Sequence, residues 1–330
     1  MKKILFVAIL LLSLTVCLAS PVWAGGSDDA KAGDTAYQEG NYDRAIKLFT
    51  KAIASGELSR KDLSITYLNR GLTWGKKGDY DKAITDFDKA IGINPKFAYA
   101  YGNRGLTWAK KGDYDKAIAD YTKAIEINPR DADAYGSRGN AWYDKGDYDK
   151  AIADYTKVIE IDPRDADAYG NRGNAWGKKG DYDKVIADYT KAIEINPRNA
   201  NAYGSRGYAW GKKGDYDKVI ADYTKAIEID PKFADAYNGL AWIMATCPEG
   251  KYRDGKRAVE LAEKAVALKD AASFLDTLAA AYAEAGRFQD AIKTQERVIT
   301  KLKQESGTQY LPQCEKHLSS YKAGKPWREK

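Results

Sequence analysis

Apolar positions along this chain step by three and four residues, stop, and begin again. Between Tyr114 and Ile127 the apolar set Ala117, Ile118, Tyr121, Ala124 and Ile125 forms one stripe of a helix that has to face a neighbour. Asp113 precedes the stripe as an N-cap, and Asp115 falls in the first turn, where a carboxylate favours the positive end of the helix dipole. Pro129 ends the stripe, because proline lacks the next backbone donor and clashes with the preceding turn. Just upstream, Tyr101, Gly105 and Trp108 recur at helical spacing, and Gly112 closes that segment as a left-handed cap. The stretch Ala98 to Asp131 therefore predicts helix, turn, helix.

The same unit recurs at a fixed period. Tyr67, Tyr101, Tyr135, Tyr169, Tyr203 and Tyr237 are each 34 residues apart, as are Pro95, Pro129, Pro163, Pro197 and Pro231. A period of this size marks a solenoid, in which each unit buries its apolar face only against its neighbours. The blocks starting at Tyr169 and Tyr203 share 28 of 34 residues, which points to duplication within the gene.

The spacing of Tyr101, Gly105, Trp108, Gly112, Tyr114, Ala117, Tyr121, Ala124 and Pro129 resembles the tetratricopeptide repeat (TPR). The resemblance implies an all-α, right-handed superhelical solenoid of about eight helix-turn-helix units with a C-terminal capping helix. The solenoid spans 25–305, with units near 26–59, 64–97, 98–131, 132–165, 166–199, 200–233, 234–270 and 271–304. The seventh unit carries an insertion, Cys247 to Gly255, ahead of its second helix. Residues 306–330 form the capping helix and tail, with Leu311, Leu318 and Tyr321 expected on the covering face.

One residue departs from the family pattern. At the seventh place, where TPR repeats usually carry leucine, the units read Ala32, Arg70, Arg104, Arg138, Arg172, Arg206, Leu240 and Leu278. At the facing twenty-third place they read Leu48, Asp86, Asp120, Asp154, Asp188, Asp222, Leu261 and Thr294. Arginine occurs only where aspartate does, so the expected structural pairs are Arg70–Asp86, Arg104–Asp120, Arg138–Asp154, Arg172–Asp188 and Arg206–Asp222. A guanidinium fork suits a carboxylate across two packed helices better than an ammonium does.

In the TPR fold the first helices line a concave groove that reads extended peptides or partner helices. The resemblance places Tyr99, Gly102, Asn140, Tyr143 and Gly170 in that groove, followed by Asn174, Lys178, Tyr208, Lys212 and Trp242. Ile65, Leu68 and Leu72 make its early part apolar, and Asn103 is expected beside Gly102 on the same side. Gly102, Gly136, Gly170 and Gly204 leave a floor without side chains. Asn140 and Asn174 stand one unit apart as rungs able to hydrogen-bond a peptide backbone. The series Trp74, Trp108, Trp142, Trp176 and Trp210 reads as core. Lysine pairs such as Lys110–Lys111 and Lys178–Lys179 close the first helices, where cations favour the dipole.

The remaining chemistry narrows the function. His317 is the single histidine, so a catalytic triad or a multi-histidine metal site is not expected, and no cofactor motif is present. The expectation is a non-catalytic interaction protein, with an envelope assembly component acting through its ends or convex face as the alternative. The chain has 53 basic and 47 acidic residues, a balance that does not favour nucleic acid as partner. Residues 1–24 read as a signal peptide: Lys2 and Lys3, an apolar run from Ile4 to Leu18, and Val22 and Ala24 before the cut. The mature chain is expected to be exported, most simply to a periplasm, and to lack a membrane span. Lipid anchoring through Cys17, or secretion, are the alternatives. Cys247 and Cys314 fall too far apart in the array for a disulfide, leaving a thiol that could crosslink partners.

Overall fold

A computed structural model describes residues 28–305 and 308–329. The leader at 1–24 and Cys17 lie outside the described residues. Among the described residues every regular element is helical, and the chain is an all-α repeat protein. The helices form two compact units, one ending at Lys179 and the other beginning at Gly180.

The N-terminal unit contains α1 (Asp28–Gln38), α2 (Tyr42–Ser55), α3 (Arg60–Lys76), α4 (Tyr80–Ile93), α5 (Ala98–Lys110), α6 (Tyr114–Ile127), α7 (Ala132–Asp144), α8 (Tyr148–Ile161) and α9 (Ala166–Lys179). Odd-numbered helices are the first helices of each repeat and even-numbered ones the second. From α1 to α8 each first helix packs on its own second helix, and each second helix packs on the next first helix. The sequence explains the breaks. Gly112 sits at φ +81°, a conformation that costs an L-residue strain, and Asp113 then accepts the backbone N–H of Lys116 to start α6. Within the pair, a Cβ on Gly105 would lie 3.1 Å from the carbonyl oxygen of Ala117, so the helices approach as closely as glycine allows. Ala117, Ile118, Tyr121, Ala124 and Ile125 are all buried, as their spacing requires.

The C-terminal unit contains α10 (Tyr182–Ile195), α11 (Ala200–Lys213), α12 (Tyr216–Ile229), α13 (Ala234–Thr246), α14 (Gly255–Leu268), α15 (Ala272–Glu284), α16 (Phe288–Gln304) and α17 (Leu311–Lys322). The insertion between α13 and α14 is pinned by Arg253, which donates to the carbonyls of Cys247 and Pro248 at 2.8 and 3.0 Å and to Glu284 at 3.1 Å. Small residues on α13 and α15, among them Ala241, Ala245, Ala280 and Ala281, are fully or almost fully buried where these helices pack directly.

The last helix, α17, packs on α16 and α15 with Tyr321 buried as expected, but with the expected stripe turned from the leucines toward Cys314 and His317. Cys314, His317 and Tyr321 are buried, whereas Leu311 and Leu318 are only partly so. The reason is a buried polar cluster. His317 is fully buried with Nδ1 2.9 Å from Asp276 Oδ1, and Gln295 Nε2 donates to the same oxygen at 2.7 Å. Cys247 and Cys314 are both free and both buried, so neither offers the accessible thiol expected to crosslink partners. Burial pushes the Cys314 thiol up to about 12 and also raises Cys247.

Candidate functional site

The recurring arginine is held on three sides. In α5, Arg104 donates through Nε and Nη2 to both oxygens of Asp120 at 2.8 and 2.6 Å. Arg70–Asp86, Arg138–Asp154 and Arg206–Asp222 repeat this bidentate geometry within their own repeats. The third arm reaches the second helix of the preceding repeat: Arg138 Nη1 donates to Thr122 Oγ1 and Arg172 Nη1 to Thr156 Oγ1, each at 3.0 Å, and Arg104 meets Asp88 there. Each guanidinium also lies over the tyrosine three residues earlier, as Arg138 does over Tyr135 at 5.6 Å. Hydrogen bonding to the aspartate raises the pKa of Arg138 above the ordinary arginine value. Arg172 and Asp188 belong to different units.

The lysines that close the first helices are also engaged. Lys111 pairs with Asp81, Lys145 with Asp115 and Lys179 with Asp149, each aspartate lying in the first turn of the preceding repeat's second helix. The tryptophans are half-buried and roofed by cations, as Trp142 is by Lys150 at 4.1 Å and Trp210 by Lys218 at 4.0 Å. They are core on one face and lysine-covered on the other.

The groove candidates separate into surface and interior. In the N-terminal unit Tyr99, Gly102, Asn140, Tyr143, Gly170 and Asn174 are half-buried, and Lys178 is exposed with Nζ 6.0 Å from the Tyr143 ring centre. Asn140 is oriented by the repeat itself: its Oδ1 accepts the Tyr155 hydroxyl at 2.7 Å, which leaves the amide N–H groups as its remaining polar function. Gly102 has nothing within 4 Å of where a Cβ would stand. Three expectations need correction. Ile65, Leu68 and Leu72 are buried, Leu68 and Leu72 among Tyr37, Phe97 and Tyr99, so the early groove is not an open apolar surface. Asn103 is buried and donates to the Tyr99 carbonyl at 2.8 Å instead of facing the groove. Gly204 is buried, and a Cβ there would meet the Phe233 ring at 2.7 Å, so that glycine accommodates a core aromatic.

In the C-terminal unit Tyr208, Lys212 and Trp242 line a pocket of about 470 Å³ together with residues of α12 and α15. Lys212 Nζ lies 5.1 Å from the Tyr208 ring centre. One wall comes from an unexpected source, the chain's own tail. Trp242 Nε1 donates to Glu329 Oε2 at 2.8 Å, and the Glu329 backbone N–H donates to the Thr246 carbonyl at 3.1 Å. The repeat pattern assigns no role to residues 323–330, and the one signal they carry in sequence is Trp327, an aromatic in an otherwise polar stretch.

These helix pairs, capped and spaced alike, are the architecture of a tandem helical repeat, and direct comparison agrees. Tetratricopeptide repeat models match residues 64–97, 98–131, 166–199 and 200–233, and further models of the same repeat match 30–55, 120–153, 139–180 and 222–256. The chain belongs to the tetratricopeptide repeat family. No curated protein matches it. Among solved structures, the C-terminal part of a TPR repeat-containing protein from Cytophaga hutchinsonii aligns at 24% identity and TM-score 0.62, covering 75% of this chain and 98% of its own. A tetratricopeptide repeat protein from Parabacteroides merdae aligns at 19% identity and TM-score 0.55, covering 77% and 97%. The MamA protein is 30% identical over 52% of this chain and 93% of its own, with TM-score 0.49.

Proposed function

We propose that this chain is an exported, non-catalytic interaction scaffold that holds an extended peptide or a segment of a partner protein against its first helices. The observation that carries the reading is the contrast between the two helix sets. Second helices repeat one exterior in which charges are already matched at i,i+3, as in Lys123–Glu126, Lys157–Glu160 and Lys225–Glu228. First helices instead present half-exposed aromatics that change from repeat to repeat, including Tyr99, Tyr143, Tyr208 and Trp242. Large rigid aromatics with polar tips are the side chains that anchor interfaces. The family's use as protein-interaction repeats supports the same surface, and the matched second-helix exterior disfavours assembly through the opposite face.

A photo-crosslinking residue at Tyr143 or Tyr208, compared with one at Lys123 or Lys157, tests this in the native envelope. Crosslinks to one partner from the first-helix positions alone are expected, and crosslinks from the second-helix positions alone would overturn the reading. Export is tested by the N-terminal sequence of the mature protein, expected to begin at Gly25.

A further inference from the structure

The pocket lined by Tyr208 and Trp242 is bounded on one side by the chain's own tail, and that tail is seated as a ligand would be. After α17 the chain turns at Gly324, at φ +67°, and runs back so that Trp327, Arg328 and Glu329 meet α13, α15 and α17. Each of the three makes a different kind of contact. Trp327 packs against the buried His317 ring, 4.5 Å between centres and tilted by 50°. Arg328 pairs with Glu284 at 2.5 Å and donates to the Ala245 carbonyl at 3.3 Å, at the end of α13 where the helix dipole favours a cation. Glu329 takes the Trp242 indole N–H in its carboxylate and gives its backbone N–H to the Thr246 carbonyl. Side-chain anchors combined with backbone pairing are how an extended peptide is read.

The seat is imperfectly filled. The Trp327 indole N–H is buried without an acceptor, and the pocket continues past Glu329 towards Tyr208 and Lys212. A buried donor without a partner weakens the bound state of the tail.

We propose that this seat on α13 and α15 is a peptide-binding subsite, that its ligand is an extended segment carrying an aromatic, a basic and an acidic residue in succession, and that the chain's own Trp327–Arg328–Glu329 occupies it until such a segment displaces it. The inference rests on the proposed groove function and adds the ligand's chemistry and the resident competitor. The tether keeps the tail at high local concentration, so the free site is largely closed to weak competitors.

The test uses the full chain with Trp327→Ala and Glu329→Ala, and a fluorescent peptide of residues 323–330 read by anisotropy. The unseated variant is expected to bind the peptide at least about ten-fold more tightly than the native chain, as removal of a tethered competitor requires. Adding Trp242→Phe is expected to reverse most of that gain. Should the first variant fail to fold by circular dichroism, Arg328→Ala with Glu329→Ala leaves the Trp327 packing in place and reads the same comparison. Equal binding by the folded variant and the native chain would overturn the proposal. A native dimer that the tail substitutions dissolve would overturn it too, since the seat would then hold a neighbour's tail. Either result leaves the crosslinks from Tyr143 unaffected, so this inference and the groove reading fail separately.

Discussion

At Arg138 the carboxylate of Asp154 is nearly buried, and the guanidinium supplies the charge that makes this burial tolerable. Removing one partner of such a pair costs about 3 to 5 kcal/mol, whereas replacing both by apolar groups is often neutral. Arg138→Leu is therefore expected to lose stability of that order in urea melts, and Arg138→Leu with Asp154→Leu to recover most of it. Equal losses would show that removing Asp154 brings no relief and would count against the pairing. The pairing is legible because the repeats supply their own comparison: the chain changes both places together. The third arm, to Thr122, is not legible, since threonine on a helix exterior carries no signal of its own until the neighbouring repeat is seen to pack there. The cysteines behave similarly. Neither Cys247 nor Cys314 stands in an obvious apolar stripe, yet both are buried, and with the Cys314 thiol up at about 12 it stays protonated at pH 8. Iodoacetamide is expected to label neither in the native protein and both in denaturant, counted by mass spectrometry; rapid native labelling would show that one is exposed.

Elements are more legible in this chain than surfaces. Helix starts follow from aspartate caps and stops from glycine and proline, all local signals, so the helix pairs can be read directly. Which face of a helix stays open depends on what crosses it from another repeat. Gly102 and Gly204 occupy the same place in their repeats, yet the first faces open space and the second holds the Phe233 ring. Their alanine variants should therefore differ in sign. Gly102→Ala is expected to stabilise by about 0.4 to 1 kcal/mol through reduced freedom of the unfolded chain. Gly204→Ala is expected to destabilise by about 1 to 3 kcal/mol by overpacking. Thermal melts of the two variants decide this, and a loss at both would place a contact at Gly102 as well. The α17 stripe keeps Tyr321 but turns from the expected leucines for a related reason: leucines suit an apolar surface, but the surface beneath α17 contains Asp276, which selects His317. Tyr155→Phe isolates one further polar contact. It frees Asn140, and weaker partner binding with little change in melting would assign that amide to the interaction surface.

For the molecule as a whole, repetition carries the fold, while the end of the chain holds the contact that repetition does not foretell. The tail meets Trp242, 87 residues away, and no period relates the two. Repetition has a consequence of another kind. In the N-terminal unit Arg138 reaches forward 16 residues to Asp154 and back 16 to Thr122, and Lys179 reaches back 30 to Asp149. These arginine and lysine contacts recur at fixed offsets between the repeats that run from α5 to α9, so one of those repeats can stand beside another in the same way. Excision of 132–165 would bring Arg172 against Thr122 and Lys179 against Asp115, with no charge left unmatched at the join. That shortened protein is expected to fold and to unfold in a single transition by circular dichroism; aggregation or a broad melt would show that the repeats are not interchangeable. Array length is then a trait that recombination can alter by whole units, supplying longer or shorter forms for selection without first breaking the fold.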